Sequence, residues 1–391
     1  MKYFSAQYVY TNSSALLKRP VITTLDDGTI VEIEDTGGDL TERHSVPFYN
    51  GIIVPGFINC HCHLELSHMN GKIAVGKGLG PFIAEVRNTR GNNQNTVKRA
   101  TIQADNEMFE EGIVICADVC NTPGTFEIKK KSSICYINLL EVFGIDNSKA
   151  QTRIDEILSV AGEAEKENLK YNIVPHSVYS VSEHLFDLIR KESEGNTISS
   201  IHFLESESER TFLESKTGPI MDSYKGFGIL TKDIRPVESH LQAILKKMTR
   251  NGSLLLVHNT FVTREEIKSL KSRTNLFWCI CPRSNLYIEM TLPPVNLMIE
   301  ENCQIVIGTD SKGSNKSLSI LDEMKTIQTN FPMVTIEMLI KWATLNGAMA
   351  LGEDSWAGSI EPGKKPGLVL ISDFDFENHR LLKTSIAKRL I

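Results

Sequence analysis

Histidine and carboxylate side chains follow short apolar segments at several points along the chain. His61 and His63 close the first of these segments, and His202, His258 and Asp310 close three later ones. Residues two apart in a β-strand point to the same face of a sheet, so the imidazoles of His61 and His63 would converge. Imidazole nitrogens and a carboxylate oxygen are the usual ligands of a catalytic zinc ion that keeps one position open for water. The residue types and their spacing therefore predict a catalytic metal site.

The apolar segments that carry these residues predict an α/β fold. Eight short runs of apolar and β-branched residues span 56–63, 114–119, 136–143, 171–177, 199–205, 253–259, 276–282 and 303–310. Eight strands alternating with helices are what a (β/α)8 TIM-type barrel requires. Such barrels assemble their active sites at the carboxyl ends of the strands, where these histidines and Asp310 lie. An open doubly wound sheet is the alternative, although no Gly-x-Gly-x-x-Gly follows the first strand.

Amphipathic stretches between the strands predict helices. They include 96–111, 182–194, 238–250 and 263–272. Ser180 with Glu183, and Thr263 with Glu266, have the spacing of a capping box at a helix start. We therefore expect helices to begin directly after Ser180 and Thr263.

Both ends of the chain are rich in β-forming residues. Near the start, two such runs flank Asp26–Gly28, which is a hairpin turn signal. The last 35 or so residues are again rich in β-forming residues and turn signals. We predict a small β-sandwich domain built from residues 1–54 and 352–391, around a barrel domain formed by residues 55–351.

Charge and hydropathy exclude several classes of protein. The 391 residues include 48 acidic and 42 basic side chains, giving a net charge of −6, which is atypical of nucleic-acid binding. No apolar run approaches the roughly 18–20 residues that a membrane span needs. The start of the chain lacks the apolar stretch of a signal peptide, so we expect a soluble cytoplasmic protein. The short basic run Lys129–Lys131 is expected to be a solvated turn.

The eight cysteines are too sparse for a disulfide scaffold and show no Cys-x-x-Cys spacing. Cys60 with Cys62, and Cys279 with Cys281, lie inside apolar segments. A free cysteine packs as a small apolar side chain. We therefore expect these four residues to be buried, reduced thiols.

The segment Pro55–Leu64, with the sequence PGFINCHCHL, resembles the opening signature of the amidohydrolase superfamily. Further matches, in the order of that family, are residues 202–205, 257–259, 308–311, 343–348 and 358–364. Together they resemble the branch that holds cytosine, guanine, adenosylhomocysteine and aminofutalosine deaminases and the triazine chlorohydrolases. The resemblance covers nearly the whole chain. One difference is Pro366–Val369, where the family usually has Ala-Asp-Leu-Val, and it concerns the terminal sheet rather than catalysis.

The resemblance implies that His61, His63, His202 and Asp310 hold one divalent metal. Zinc is the usual ion of the family and iron occurs in some members, and this ligand set suits both. The binuclear hydantoinase-like branch has a metal-bridging carboxylated lysine at the end of strand four. Because His176 occupies that place here, a single ion is expected.

The same resemblance assigns the catalytic roles. Glu205 falls at the position of the proton shuttle, His258 would orient or polarise the attacking water, and Asp310 would accept a proton from it. His176 would face the substrate. A metal-bound hydroxide would then replace an amino group by a carbonyl on an aminated purine, pyrimidine or related heterocycle, releasing ammonia.

The choice of substrate depends on the loops beyond the strands. Glu65, Arg283 and the insertion 206–235 are the candidate elements, and Arg283 could pair with a carboxylate or phosphate. A surface arginine bonded to loop carbonyls is the alternative for Arg283. Amide or carbon–halogen hydrolysis on the same scaffold, and a non-catalytic metal-binding scaffold, are the alternative functions. A small-molecule substrate is expected, and self-association into a homo-oligomer is plausible for this superfamily.

Overall fold

The computed structural model describes residues 1–39, 45–91, 93–234, 248 and 251–391. In chain order, the strands are β1 (Lys2–Val9), β2 (Leu17–Lys18), β3 (Val21–Thr24), β4 (Ile30–Glu34), β5 (Phe48–Pro55), β6 (Phe57–Cys62), β7 (Ile113–Cys120), β8 (Cys135–Val142), β9 (Lys170–Pro175), β10 (Ile198–Phe203), β11 (Ser253–His258), β12 (Leu276–Ile280), β13 (Ile305–Ile307), β14 (Leu368–Asp375) and β15 (Arg380–Arg389).

The helices surround these strands. They are α1 (Leu79–Thr89), α2 (Gln94–Glu110), α3 (Phe126–Lys131), α4 (Ala150–Lys166), α5 (Glu183–Glu192), α6 (Glu207–Ser215), α7 (Pro219–Gly226), α8 (Arg264–Leu270), α9 (Pro282–Glu289), α10 (Val295–Glu300), α11 (Ile320–Asn330), α12 (Ile336–Ala343) and α13 (Leu345–Ala350). The helix predicted over 238–250 lies outside the described residues apart from Met248. Among the helices that are described, none is long and apolar enough to span a membrane.

The middle of the chain forms two four-stranded sheets, β6-β7-β8-β9 and β10-β11-β12-β13, in which every pairing is parallel. All eight strands lie in the segments that the sequence predicts. Two isolated parallel bridges, Cys62 with Asp310 and Ser177 with His202, connect the sheets at their carboxyl ends. The strands are buried nearly throughout, as expected for parallel sheets covered on both faces.

Strands from both ends of the chain share one seven-stranded sheet. Its order is β15-β14-β5-β1-β3-β4, and β2 pairs with β1. The predicted hairpin is present, since β3 and β4 pair antiparallel across a turn in which Gly28 has a φ of 93°. The sheet continues directly into the parallel strands, because only Gly56 separates β5 from β6. A side chain at Gly56 would collide with Val114, so the close approach at this junction requires glycine.

The structure confirms one predicted helix start and corrects the other. Thr263 and Glu266 form the reciprocal capping box of α8. The cap of α5 is Ser182 instead, whose side chain accepts a hydrogen bond from the amide of Leu185. The Ser180 hydroxyl lies 2.8 Å from His176 Nδ1 and is therefore engaged with a histidine of the strand ends.

The predicted thiols are confirmed. Cys60, Cys62, Cys279 and Cys281 are buried and unpaired. Cys60 and Cys279 belong to one apolar cluster inside the parallel sheets. These thiols therefore pack as small apolar side chains of the core.

The prediction that Lys129–Lys131 is a solvated turn is wrong for Lys129. Its side chain is fully buried on α3, with Nζ 2.5 Å from Asp118 Oδ2 on β7, which is also fully buried. Burial disfavours the ammonium charge, but Asp118 outweighs it and raises the pKa of Lys129 above its ordinary value. Asp118 Oδ1 also accepts a hydrogen bond from the amide of Leu64, 2.7 Å away, directly after His63. The ion pair therefore helps to fix the end of β6.

This pair leads to a stability prediction. Lys129→Met leaves the buried Asp118 carboxylate without its partner, which should lower the free energy of unfolding by about 3–5 kcal/mol. Lys130→Met is the matched control, because the neighbouring lysine is exposed and paired with a surface glutamate. Its expected cost is within about 1 kcal/mol. Equal denaturant stability of the two variants would contradict the burial of a charged Lys129.

Candidate active site

The carboxyl ends of β6 and β13 bring the first three predicted residues together. His61 Nε2 and His63 Nε2 lie 3.2 Å apart. Asp310 Oδ1 lies 3.8 Å from His61 Nε2 and 3.5 Å from His63 Nε2. The backbone bridge between Cys62 and Asp310 explains why the aspartate lies so close to both histidines. Cys62 stands between His61 and His63, and its backbone pairs with that of Asp310. Three ligand atoms thus converge on one point.

His202 completes the cluster from the end of β10. The ring centroid of His202 is 4.9 Å from that of His61, and ligand atoms of His61, His63 and His202 lie within 4.8 Å of one another. His202 Nδ1 donates a hydrogen bond to the carbonyl of His176 at 2.9 Å, which leaves Nε2 as the free acceptor atom. Burial lowers the pKa of His202 to about 4, with His176 contributing, and holds the pKa of His61 well below 6.5. Neutral imidazoles of this kind are the form that binds a metal.

Asp310 is held by hydroxyl groups through one of its two oxygens. Ser284 and Ser314 both donate to Asp310 Oδ2, at 2.7 and 2.5 Å. Its backbone has a φ of 57°, a conformation that costs free energy for a non-glycine residue. The hydroxyls and the histidines His63 and His258 outweigh burial and lower the pKa of Asp310. The carboxylate is therefore ionised, oriented and free at Oδ1.

These groups match what a divalent metal requires. Three imidazoles and one carboxylate form a nitrogen–oxygen donor set of the kind used by catalytic zinc sites. Partners outside the donor set already orient His202 and Asp310, as is usual around bound metals. The four side chains are buried together, with no basic residue paired to Asp310 among the ion pairs of the described chain. The residues present therefore fit a single ion.

Glu205 and His258 face each other beside this cluster. Glu205 Oε1 lies 3.6 Å from His258 Nε2, and both side chains are buried. Asn285 Nδ2 lies 3.3 Å from His258 Nδ1, which makes Nδ1 an acceptor and places the ring proton on Nε2, toward Glu205. Burial, followed by the charge of Asp310, raises the pKa of Glu205 well above 4.5. Burial lowers the pKa of His258 to about 3, so Glu205 can carry a proton beside a neutral imidazole.

His176 lies at the open side of the site. Its Nδ1 contacts the hydroxyls of Ser177 and Ser180 at 3.0 and 2.8 Å, and its ring stacks on His202 with centroids 4.5 Å apart. Burial lowers the pKa of His176 to about 3, so the ring is neutral. Since Nδ1 is occupied by hydroxyls, Nε2 is the atom available to another molecule.

A cavity of about 1000 Å³ opens over these residues. His63, His176, His202, Glu205, His258 and Asp310 line its floor, and apolar side chains of α1 line one wall. The predicted insertion after β10 folds into α6 and α7, and its residues Tyr224, Phe227 and Ile229 contribute to the wall. A deep polar floor beneath apolar walls is the usual form of a small-molecule site.

Two predicted substrate residues, Glu65 and Arg283, are not among the residues that line the cavity. Arg283 Nη1 donates to Ser317 and Asp322 at 2.7 and 2.8 Å, so its guanidinium is held by these side chains. Glu65 forms a short ion pair with Arg90. In both cases a nearby opposite charge holds the side chain. Arg90, rather than Glu65 or Arg283, lines the cavity.

The sequence analysis also missed polar residues of the wall. Arg90 caps the end of α1, where no strand-end pattern marks it, and donates to Asn121 at 2.6 Å. Glu141 closes β8 with its Oε1 3.6 Å from His202 Nδ1. Glu141 lies near the end of a predicted strand, as the histidines do. A search of every predicted strand end for carboxylates would therefore have found it.

Comparisons with known proteins show which family and which solved fold the chain resembles. A model of the Amidohydrolase family matches residues 52–387. The adenosine deaminase of Helicobacter pylori is 27% identical over 333 residues, covering 82% of this chain and 79% of the relative. The 5-methylthioadenosine/S-adenosylhomocysteine deaminase of Halobacterium salinarum is 27% identical over 381 residues, covering 91% and 80%. The crystal structure of Helicobacter pylori aminofutalosine deaminase in complex with methylthio-coformycin has a TM-score of 0.81 at 23% identity, covering 100% of both chains.

The geometry predicts which histidines bind metal. His202→Asn should lower zinc affinity by more than about 100-fold. Mutating a residue that only hydrogen-bonds to a metal ligand commonly lowers metal affinity by about 10–100-fold, so loss of a ligand itself should cost more. Affinity would be measured by competition with a chromophoric chelator. His184→Asn is the control, because His184 is exposed on α5. Tight zinc binding retained by the His202 variant would contradict the assigned donor set.

Proposed function

Because the chain belongs to the amidohydrolase family, we propose that it is a metal-dependent deaminase acting on an aminated heterocycle. The observation that carries this proposal is that a metal-type donor cluster and the buried Glu205, whose pKa is raised, share one cavity floor. A scaffold protein has no need for a buried acid whose pKa is raised beside such a cluster. Perturbed acids in a cavity are instead characteristic of proton transfer.

In this proposal His61, His63, His202 and Asp310 hold one divalent ion. We propose zinc, which prefers nitrogen and oxygen ligands in this number, although iron suits the same set. When bound, such an ion acidifies a coordinated water from a pKa of about 15.7 to about 7. The fourth strand is followed by His176 rather than by the carboxylated lysine that bridges two ions in the binuclear branch, which supports a single ion.

The chain's own residues move the protons. Asp310, which would lie beside the attacking water, accepts its proton, and the hydroxyls of Ser284 and Ser314 fix the orientation of the carboxylate through Oδ2. Glu205, whose pKa is raised, can deliver its proton to the ring nitrogen and then pass the proton of the newly formed ring hydroxyl to the leaving amino group. The proton that Asp310 took from the water then returns to Glu205 for the next turnover. Hydrolytic deamination then exchanges one water for one ammonia and leaves a carbonyl on the ring. A shuttle close to the reacting atoms contributes typically 10²–10⁴-fold to such a rate.

Two neutral histidines orient the reaction in this proposal. His258 holds its Nε2 proton toward Glu205 and the water, and Asn285 fixes that tautomer. His176 presents Nε2 to the substrate ring while Ser177 and Ser180 hold its other nitrogen. Both rings are neutral because burial depresses their pKa values, so neither repels the metal.

For the substrate, we propose a 6-aminopurine nucleoside. Relatives named for adenosine and for substituted adenosines support this class. The cavity, at about 1000 Å³, is larger than a nucleobase alone requires. We propose Arg90 as the wall residue that contacts the part of the substrate beyond the base, because it lies on the cavity and is held by Glu65 and Asn121.

We also propose that the two parallel sheets close into a (β/α)8 barrel. Support comes from the bridges Cys62–Asp310 and Ser177–His202, which connect first to last and fourth to fifth strands. The seven-stranded terminal sheet would fold into a small sandwich domain of residues 1–54 and 352–391, leaving 55–351 as the catalytic domain. The break at Gly56 between β5 and β6 supports the first of these boundaries.

The first prediction from this proposal concerns ammonia. Zinc-loaded protein would be tested for ammonia release against adenosine, 5′-substituted adenosines, guanine and cytosine. Release is expected from the adenosines. Glu205→Gln should lower kcat by about 10²–10⁴-fold without loss of zinc, because the amide cannot transfer a proton. Glu207→Gln, an exposed carboxylate two residues on, is the control and should match the wild type. Hydrolysis of an amide to a carboxylate and an amine, or release of chloride, from other substrates, with no ammonia from the panel, would contradict deamination.

A second prediction concerns Arg90. Arg90→Gln should raise KM for the best substrate by about tenfold, the value of one charge-assisted hydrogen bond. Arg283→Gln should leave KM unchanged, because its guanidinium is directed to Asp322. Steady-state kinetics of the two variants would decide between them. A larger effect at Arg283 would restore it as the substrate residue and exclude Arg90.

A further inference from the structure

Glu209 is a completely buried carboxyl group that the reaction does not use. It lies in the first turn of α6 with a relative exposure of 0%. Its Oε2 accepts a hydrogen bond from the backbone amide of Glu205 at 3.1 Å, and the amide of Leu204 also faces its carboxyl group. The carboxyl group therefore binds the backbone at the proton shuttle and at the residue before it.

The position of Glu209 differs from that of an ordinary helix cap. Ser206 and Glu209 have capping-box spacing, in which the glutamate normally returns to the amide of the cap residue. Here Glu209 reaches one residue further back, to Glu205. The helix start is already capped, since the Ser206 hydroxyl accepts from the amide of Ser208 at 3.1 Å. The contact to Glu205 thus serves the segment before the helix.

That segment has a strained backbone. Leu204 has a φ of 47°, a left-handed conformation that is unfavourable for leucine and persists only when its surroundings impose it. This bend turns the chain between His202 and Glu205. The amides on either side of the bend are the ones that face Glu209, so its carboxyl group is placed to hold the bend in place.

Burying the Glu209 carboxyl group costs free energy, and its hydrogen bond from the Glu205 amide offsets that cost in part. Its neighbour Arg210 is engaged elsewhere, with Glu266 at 2.9 and 3.2 Å and with the Phe261 carbonyl at 3.1 Å. Glu209 Oε1 has no hydrogen-bond partner among the described residues. Burial raises the pKa of Glu209 to about 8, against the effect of the two amides. A buried acid with one unsatisfied oxygen is unfavourable for stability, which argues for a functional reason to retain it.

We propose that Glu209 is the positioning residue of the proton shuttle. Its carboxyl group fixes the 204–205 backbone and thereby the direction in which the Glu205 carboxyl group points to the cavity. This inference rests on the proposed function, since it assumes that Glu205 transfers the proton. Glu209 itself lines no part of the cavity and touches no reacting atom.

The test compares three variants of the zinc-loaded enzyme. Glu209→Ala removes the acceptor and should lower kcat by about 10- to 100-fold with little change in KM, because displacement of a reacting group by about 1 Å has this effect. Glu209→Gln keeps one acceptor oxygen and should recover part of that loss. Glu207→Ala is the matched control, because it removes an exposed charge from the same helical turn without touching the 204–205 amides.

Hydrogen exchange provides a readout that is independent of turnover. The amides of Leu204 and Glu205 should exchange faster in Glu209→Ala than in the wild type, whereas Glu207→Ala should leave them unchanged. An active wild type together with unchanged kcat or unchanged exchange in Glu209→Ala would overturn the positioning role alone. A wild type that releases no ammonia from any substrate would overturn the proposed function, and this inference with it.

Discussion

The structure depends on the exclusion of water from a cluster of imidazoles and carboxyl groups. Burial lowers the pKa values of His61, His176, His202 and His258, so these rings stay neutral and keep lone pairs for other partners. The same burial raises the pKa of Glu205, which favours its protonated form. One constraint therefore prepares both the proposed metal ligands and the proposed proton donor. It can be met only where several strands end at one level, which is what parallel sheets provide.

Each functional group has a second partner that fixes its direction. The His176 carbonyl orients His202, two serine hydroxyls orient Asp310, and Asn285 sets the tautomer of His258. Other supports lie further away: the buried Asp118–Lys129 pair holds the backbone after His63. Strained φ values at Asp310, His258 and Leu204 show that the surroundings impose these directions.

The sequence predicted those features that depend on local pattern. Apolar β-branched runs located the eight described strands of the two parallel sheets, and alternation within a strand explained why His61 and His63 converge. The sequence pattern did not predict features that depend on pairing between charged residues distant in the chain. Lys129 was expected to be solvated with its neighbours, but in the fold it is paired with Asp118. Arg283 was expected to be available to the substrate, but in the fold it is paired with Asp322. Ser180 has capping spacing, but its hydroxyl lies 2.8 Å from His176 Nδ1 and Ser182 caps the helix instead.

The central claim is that one ion held by these residues supports hydrolytic deamination. The most direct test is to titrate zinc into the metal-free protein while measuring ammonia release from the best 6-aminopurine nucleoside. The account predicts a rate that rises in proportion to added zinc and stops rising at one ion per chain. A break at two ions per chain, or full activity without added metal in the presence of a chelator, would contradict it.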